Sequence, residues 1–557
     1  MGFSICSGRY THSAPVLAGV FGTSSPESID MPILLRYTVS DHCTIAVKAS
    51  LSVYEALMAI ASHPSFESFI ADLQVRIRSA LRSHYTDSRA TERGVPADFF
   101  DRVFAAAPLS VFVPARFGGR GQRVHECLAL LETCSYESLP LALTMGINGA
   151  LFLQPVSKFA GEHVQRQVFD RFINHKALGG LMITEPEFGS DALQMRTSFR
   201  ETDEGYRVRG TKHWGGLTGH AEFWLLTARG QTPRGNLERS ISFFVWDKSL
   251  QGIEVEEYYD SLGLYMIPYG RNRIDTVIPH ERRLAPRTGG VRMLLDLLHR
   301  SRLQFPGMAM GFLKRLLDEA LEHTRTRAVG GRPLLEYDQV QDRLAELQAT
   351  YTTCSAMCAY TTQVAGVEND CSAEALPANA LKSVITDMMQ SAAQSVLQLI
   401  GAQGYRLDRI VGRSVVDSRP FQIFEGSNDI LYHQISEAVL KSMEKVTERN
   451  LYRFLRGFEL TSRAAPYCKS ALDVSIDPSL PQRKMVELGR ALGRIISLHM
   501  VVSLGDRGYR RDLIDNCSMM LQREINTLLT SFSDQSRPAV VEDYEAESSW
   551  LSFVAGV

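Results

Sequence analysis

Glu425 stands in Ile423-Phe424-Glu425-Gly426-Ser427-Asn428-Asp429-Ile430, twenty residues after Tyr405 of Leu399-Ile400-Gly401-Ala402-Gln403-Gly404-Tyr405. A carboxylate between an aromatic residue and a Gly-Ser turn is in an apolar setting, which raises its pKa. The adjacent glycine leaves it free to reach into a cleft. These are the properties of a general base. Taken alone, the same residue also reads as a solvated surface glutamate, the usual state of that side chain.

Three further strings carry residue types suited to binding. Met182-Ile183-Thr184-Glu185-Pro186-Glu187-Phe188-Gly189-Ser190-Asp191 reads as a strand ending in a proline turn, with a second turn at Gly-Ser-Asp. Hydroxyls and backbone N–H groups in such a turn can cradle a phosphate. Gly210-Thr211-Lys212-His213-Trp214-Gly215-Gly216-Leu217 sets an aromatic residue at a strand edge, a place that usually belongs to the core. Arg302 and Arg327 flank Gly311 on a helical stretch. The planar guanidinium binds phosphates through paired hydrogen bonds, although either arginine alone more often reads as a solvated helix residue. Cys354 and Cys358 share a helix face, but no His or Cys partner completes a metal site; core packing, and no metal, is expected.

Positioning these residues takes three textures of chain. From about 51 to 175 apolar residues recur at three and four, as in Phe66-Glu67-Ser68-Phe69-Ile70-Ala71-Asp72-Leu73, which reads as helix. Residues 180–285 hold short β-branched and aromatic runs separated by Gly, Asp and Pro, a compact β domain. Helices resume near 290; the clearest, 380–400, carries an apolar stripe from Leu381 through Val384, Ile385 and Met388 to Ile400, as in a helical bundle. Amphipathic stretches at 484–504 and 511–532 follow.

At 557 residues, 45% hydrophobic and 22% charged with net charge −2, the chain is globular in composition and long enough for several domains. That balance gives no electrostatic reason to expect nucleic acid or an anionic membrane. No apolar run is read as a membrane span. Nine cysteines without a CxxC pair suggest reduced thiols in a cytoplasmic setting. The first thirty residues show no convincing targeting pattern.

In order and spacing, the motifs resemble the acyl-CoA dehydrogenase flavoprotein family over roughly 66–445. TEPxxGSD is similar to its flavin signature and GxKxW to the strand that lays a tryptophan beside the flavin. Residues 331–342 are similar to its GxPLxxxQxVQ segment, and 401–427 to GGxGY…RD…IYEGT. The resemblance implies an α+β, mainly α, fold. Residues 1–65 would be an N-terminal extension, 66–178 an N-terminal helical domain and 179–288 a central β-barrel or sandwich domain. Residues 289–445 would be a C-terminal four-helix bundle and 446–557 an extra helical tail.

It implies FAD as cofactor, with Thr184 at the isoalloxazine edge, Ser190 at the pyrophosphate and near the substrate, and Trp214 beside the ring. Gly216 stands where a Ser or Thr hydroxyl normally bonds flavin N5. Arg327, with Asp338 or Gln339, would reach the FAD of a neighbouring subunit; Gly401, Ser427 and Asp429 would also face FAD. Arg302, Phe424 and Gly426 would meet the substrate, Gly311 would be a helix-packing glycine, and Glu425 would be the catalytic base. Departures from the pattern are Gly216, Gly330 for Phe, Asp338 for Gln, Ala402 for Gly and Val416 for Arg.

The function so implied is α,β-dehydrogenation of an acyl thioester, on coenzyme A or an acyl carrier protein, as in fatty-acid metabolism. Glu425 would remove the α-proton and flavin N5 accept the β-hydride. An electron-transfer flavoprotein would be the electron acceptor, and the enzyme a homodimer or homotetramer. Two alternatives remain: an oxidase or flavin monooxygenase on the same fold, suggested by Gly216 and Trp-Gly-Gly-Leu, and a non-catalytic scaffold, suggested by Gly330, Asp338, Ala402 and Val416. The tail is expected to pack on the chain's own bundle or a dimer mate rather than on a membrane. Its basic residues Arg483, Lys484, Arg490 and Arg494 read as a solvated face.

Overall fold

The computed structural model describes residues 63–85, 93–286, 288–477, 479–554 and 556. The expected N-terminal extension, apart from residues 63–65, lies outside the described residues. Helix Phe66–Tyr85 buries Leu73, Ile77, Ala80 and Leu81 along one face; spacings of three and four turn a single stripe inward. Helix Val124–Glu137 ends at Ser138, whose extended backbone starts a new helix. The Ser138 hydroxyl accepts the Leu141 N–H at 3.4 Å, and Pro140 sits in the first turn of Leu139–Asn148.

The stretch Leu139–Phe159 is long and apolar enough to cross a membrane, a run that the sequence reading missed. Its apolar window is 94% buried within the fold. A helix enclosed on all sides needs no polar face, and so looks the same by composition.

Seven strands follow: β1 Gly179–Met182, β2 Ser198–Thr202, β3 Gly205–His213, β4 Phe223–Gln231, β5 Leu237–Asp247, β6 Ile253–Tyr258 and β7 Gly270–Ile278. They form one sheet in the order β1-β4-β2-β3-β7-β6, with β5 also paired to β4. β4 runs parallel first to β1, from Gly179↔Phe223 to Met182↔Leu226, and then to β2 at Ser198↔Arg229. The chain therefore leaves the sheet after Met182 and rejoins it at Ser198, and that excursion carries residues 184–191. Phe223 to Ala228 of β4 are buried in an unbroken run, as in a strand covered on both faces.

The C-terminal bundle consists of Gly290–Thr326, Asp338–Val364, Ala375–Ile400 and Asn428–Lys445. Gly311 packs against Val124–Glu137 so closely that a Cβ would lie 1.9 Å from Glu132 O, and only glycine permits this crossing. Beyond residue 445, helices Gln482–Asp506 and Arg511–Ser533 pack on each other and on the bundle. Leu488, Leu492, Ile495 and Ile496 of the first are fully buried. Each such side chain contributes about 1.5–3 kcal/mol relative to exposure.

The expectation of a solvated basic face holds for Arg483 and Arg490, which are exposed, and is corrected for the other two residues. Lys484 and Arg494 are only 3% and 7% exposed. Lys484 Nζ donates to Phe532 O at 2.6 Å and to Asp534 O at 2.5 Å, satisfying carbonyls at the end of Arg511–Ser533 that have no partner within that helix.

Candidate active site

Glu425 is presented between the Arg419–Gln422 turn and helix Asn428–Lys445. Pro420 O accepts the N–H groups of Ile423 and Phe424 at 2.8 and 3.0 Å, and the chain then reverses. Glu425 has φ +53° and Gly426 φ +93°. A left-handed conformation is natural for glycine and costly for glutamate, so its surroundings must hold it there. Arg302 Nε donates to Glu425 O at 3.0 Å. Lys382 Nζ donates to Gly426 O at 2.8 Å and to Asn428 Oδ1 at 2.9 Å. Arg302 is itself fixed by Asn379 Oδ1 at 2.6 Å.

The carboxylate is held asymmetrically. Ser301 Oγ donates to Glu425 Oε1 at 2.8 Å, whereas Oε2 is buried and has no partner. Burial pushes the Glu425 carboxyl above its ordinary value, opposed by Ser301, Arg302 and Lys382. Burial also pushes the Lys382 ammonium down to about 7, with Glu425 pulling the other way. Phe424 packs against Phe421 and Phe305, with ring centroids 5.0 and 5.9 Å away, and closes the apolar side of the corner.

On the β side, fully buried Lys212 donates to Glu185 Oε1 at 2.8 Å and to Ile183 O at 3.0 Å. Glu185 also accepts the N–H groups of Arg196 and Thr197 at 2.6 and 3.0 Å, so one ion pair pins both ends of the excursion between β1 and β2. Burial would raise the Glu185 carboxyl, but Lys212 and these donors hold it below its ordinary value. His213 N–H donates to Thr184 O at 3.0 Å, bringing Thr184 beside Trp214. The Trp214 ring is 4.6 Å from Tyr259 and 5.9 Å from Tyr269, and the residue is 50% exposed. Ser190 lies exposed on the excursion.

At Gly216 a Cβ would lie 2.7 Å from Ile147 Cδ1, the far end of a flexible side chain, so a larger residue there would need that methyl to shift. The two halves are joined where Leu264 N–H donates to Asp417 Oδ1 at 2.6 Å. Burial pushes the Asp417 carboxyl up to about 6.

Residues 180–277 match the family model described as acyl-CoA dehydrogenase, middle domain, and residues 288–440 match acyl-CoA dehydrogenase, C-terminal domain. These are the middle and C-terminal domains of the acyl-CoA dehydrogenase family. The chain is 26% identical over 326 residues to the mitochondrial isovaleryl-CoA dehydrogenase of Oryza sativa subsp. japonica, which covers 57% of this chain and 76% of that protein. Its fold is similar to that of an acyl-CoA dehydrogenase complexed with FAD from Bacillus anthracis, with a TM-score of 0.67 at 17% identity over 85% of this chain and 88% of the other. It is also similar to butyryl-CoA dehydrogenase from Megasphaera elsdenii, with a TM-score of 0.59 at 20% identity over 68% and 99%.

Not all the residues expected from the acyl-CoA dehydrogenase pattern meet in one place. Arg302, Phe424, Glu425 and Gly426 form the corner described above; Thr184, Trp214 and Gly216 gather at the end of β3. Arg327, Asp338, Gln339 and Gly401 are exposed at helix ends. Asp338 Oδ1 accepts the Gln339 N–H at 2.8 Å, and Gly401 has φ +69°. Ser427 precedes the first residue of Asn428–Lys445 as its N-cap, without a side-chain cap bond. Asp429 pairs with Arg490 of the tail at 3.0 Å.

Sequence reasoning missed Ser301, Asn379, Lys382 and Asn428. A signal existed: Asn379, Lys382, Ser383, Thr386 and Gln390 recur at helical spacing opposite the apolar stripe, and all are buried.

Proposed function

We propose that the chain carries out FAD-dependent α,β-dehydrogenation of an acyl thioester, with Glu425 taking the α-proton. One observation carries the assignment: a buried carboxylate oxygen, Glu425 Oε2, that has no partner while its twin is held by Ser301. A base needs a free lone pair in a site that keeps water out, and a raised pKa makes the captured proton more tightly held.

The residues fit a flavin. A half-exposed indole leaves an apolar face uncovered beside Thr184, and the backbone at Gly216 has no side chain to obstruct approach. Thr184, Ser190 and Trp214 would hold the cofactor within this chain. Arg327, Asp338, Gln339 and Gly401, exposed and away from its base, suit the cofactor of a neighbouring copy in a homodimer or homotetramer. FAD, when bound, supplies the hydride acceptor for the β-hydrogen.

The protein's own part is orientation and charge. Arg302 and Lys382 fix the two carbonyls on either side of the Glu425–Gly426 bond, which keeps the carboxylate aimed. The Glu425 N–H donates to no backbone acceptor among the described residues, and is available to a thioester oxygen as charge develops there. A thioester on coenzyme A is the first choice of substrate, since the named relatives act on isovaleryl-CoA and butyryl-CoA. Electrons would pass to an electron-transfer flavoprotein. Seven free cysteines among the described residues support a reducing, cytoplasmic location.

The test is the visible spectrum of the purified protein during anaerobic addition of acyl-CoA thioesters. The expected result is a yellow protein that bleaches, and a Glu425→Gln variant that stays yellow and bleaches at least about a thousandfold more slowly. Bleaching of that variant at the normal rate would remove Glu425 from its role. A second reading, direct reoxidation by oxygen, is favoured by the absent hydroxyl at Gly216; peroxide formed in proportion to substrate consumed would select it.

A further inference from the structure

The tail lies beyond both matched family models, yet one of its side chains is linked through Tyr432 and Asp387 to the loop that carries Glu425. Arg494 Nη1 donates to Tyr432 Oη at 2.5 Å and stands 3.8 Å from Asp387 Oδ2, while its Nε donates to Glu524 at 2.8 Å. Tyr432 Oη donates to the same Asp387 oxygen at 2.6 Å. The other oxygen, Oδ1, accepts from Gln422 Nε2 and Asn428 Nδ2, both at 2.7 Å. Gln422 is three residues before Glu425 and Asn428 three residues after. Asn428 Oδ1 then accepts from Lys382, which holds Gly426 O.

A single carboxylate therefore ties down both ends of the loop, and its own orientation is set by Tyr432 and a buried guanidinium from the tail. Removing that guanidinium leaves Asp387 short of a cation in a partly buried site, where an unpaired charge is costly and the carboxylate must turn toward water. Gln422 and Asn428 would follow it. A left-handed glutamate has no intrinsic preference for its conformation, so a loosened loop loses the aim of the carboxylate.

We propose that Arg494 is a positioning residue, through which the C-terminal helices set the reach of the Glu425 loop by way of Tyr432 and Asp387. This rests on Glu425 being the base. If Arg494 only anchored the tail, its loss would loosen residues 482–533 and leave the loop unchanged.

The experiment uses the full chain with Arg494→Met and Arg494→Lys, and Arg511→Gln as a control on an exposed tail residue that pairs with Asp515. Hydrogen exchange of the cofactor-free protein is read for peptides covering 420–429 and, as reference, 205–213. Anaerobic flavin reduction at saturating substrate is read on the FAD-loaded protein. Arg494→Met is expected to exchange faster at 420–429 but not at 205–213, and to reduce flavin about tenfold more slowly with substrate half-saturation nearly unchanged. Arg494→Lys, which restores charge but not the fork, should recover part of the rate, and Arg511→Gln should match the parent.

A folded Arg494→Met protein with parental exchange and rate overturns the proposal. Should that variant fail to fold, Asp387→Asn is read the same way, and parental values there overturn it equally. Inactive Glu425→Gln alongside a parental Arg494→Met sinks the positioning role alone; active Glu425→Gln removes the base, and the positioning role with it.

Discussion

The corner around Glu425 and the exposed set at Arg327, Asp338, Gln339 and Gly401 are built in opposite ways. In the corner, Ser301, Arg302, Asn379, Lys382 and Asn428 bind each other and the loop from within one chain, leaving Glu425 Oε2 and the Glu425 N–H without a partner among the described residues. In the exposed set the side chains face solvent at helix ends. Acid–base geometry tolerates little error, and buried polar groups are stable only when fully paired, so that part must be completed internally. Contacts to a charged cofactor can be left to solvated groups that become ordered on binding. On the function proposed above, the base's surroundings are completed within one chain, and the exposed set would meet the cofactor of a second copy.

The largest way to break this contrast is at Lys382. Lys382→Met keeps the stem but removes the donors that hold Gly426 O and Asn428 Oδ1. Flavin reduction should fall by about ten- to a hundredfold. Because Lys382 pulls the Glu425 carboxyl down, its loss should raise that carboxyl further and move the acid limb of the pH–rate profile to higher pH. Stopped-flow reduction across pH 5 to 8 would show this, and an unmoved limb with an unchanged rate would mean that the corner's rigidity comes from elsewhere.

The contrast also explains what was legible in the sequence. Glu425, Trp214 and the Thr184 turn could be found because their strings are long and local. The helix–sheet–helix order showed because hydrophobic period changes at the boundaries near 180 and 290. Lys382 and Arg494 were hidden for one reason: a charged residue on an amphipathic helix reads as solvated, and only the position of other helices shows it to be enclosed. Gly216 read as a lost hydroxyl, while the side chain that a Cβ there would meet, Ile147, lies 69 positions away in sequence.

A middle-sized effect tests the joint between the two halves. Asp417 has its carboxyl raised by burial from an ordinary 3.8 to about 6. Between these values the folded chain binds more protons than the unfolded one, so stability from this group is present below pH 3.8 and lost as pH rises through about 6. Asp417→Asn keeps an acceptor for the Leu264 N–H without the buried charge. The variant should match the parent near pH 3.5 and gain up to about 3 kcal/mol above pH 6.5, read from urea midpoints at the two pH values. An equal effect at both would place the shift in something other than ionisation.

The smallest effect belongs to the rim. Arg327 is exposed and serves no group in the corner, so Arg327→Gln should leave flavin reduction by the FAD-saturated protein within about twofold of the parent. FAD affinity should weaken by about fivefold, the scale of an exposed charge contact. Titration of cofactor-free protein with FAD at low and high salt should show the parent's advantage shrinking as salt rises, because an exposed pair is screened and a buried one is not. A slower reduction step at saturating FAD would mean that rim and corner are coupled. The division between a chemistry built inward and a cofactor rim left open would then fail at the residue where it predicts the least change.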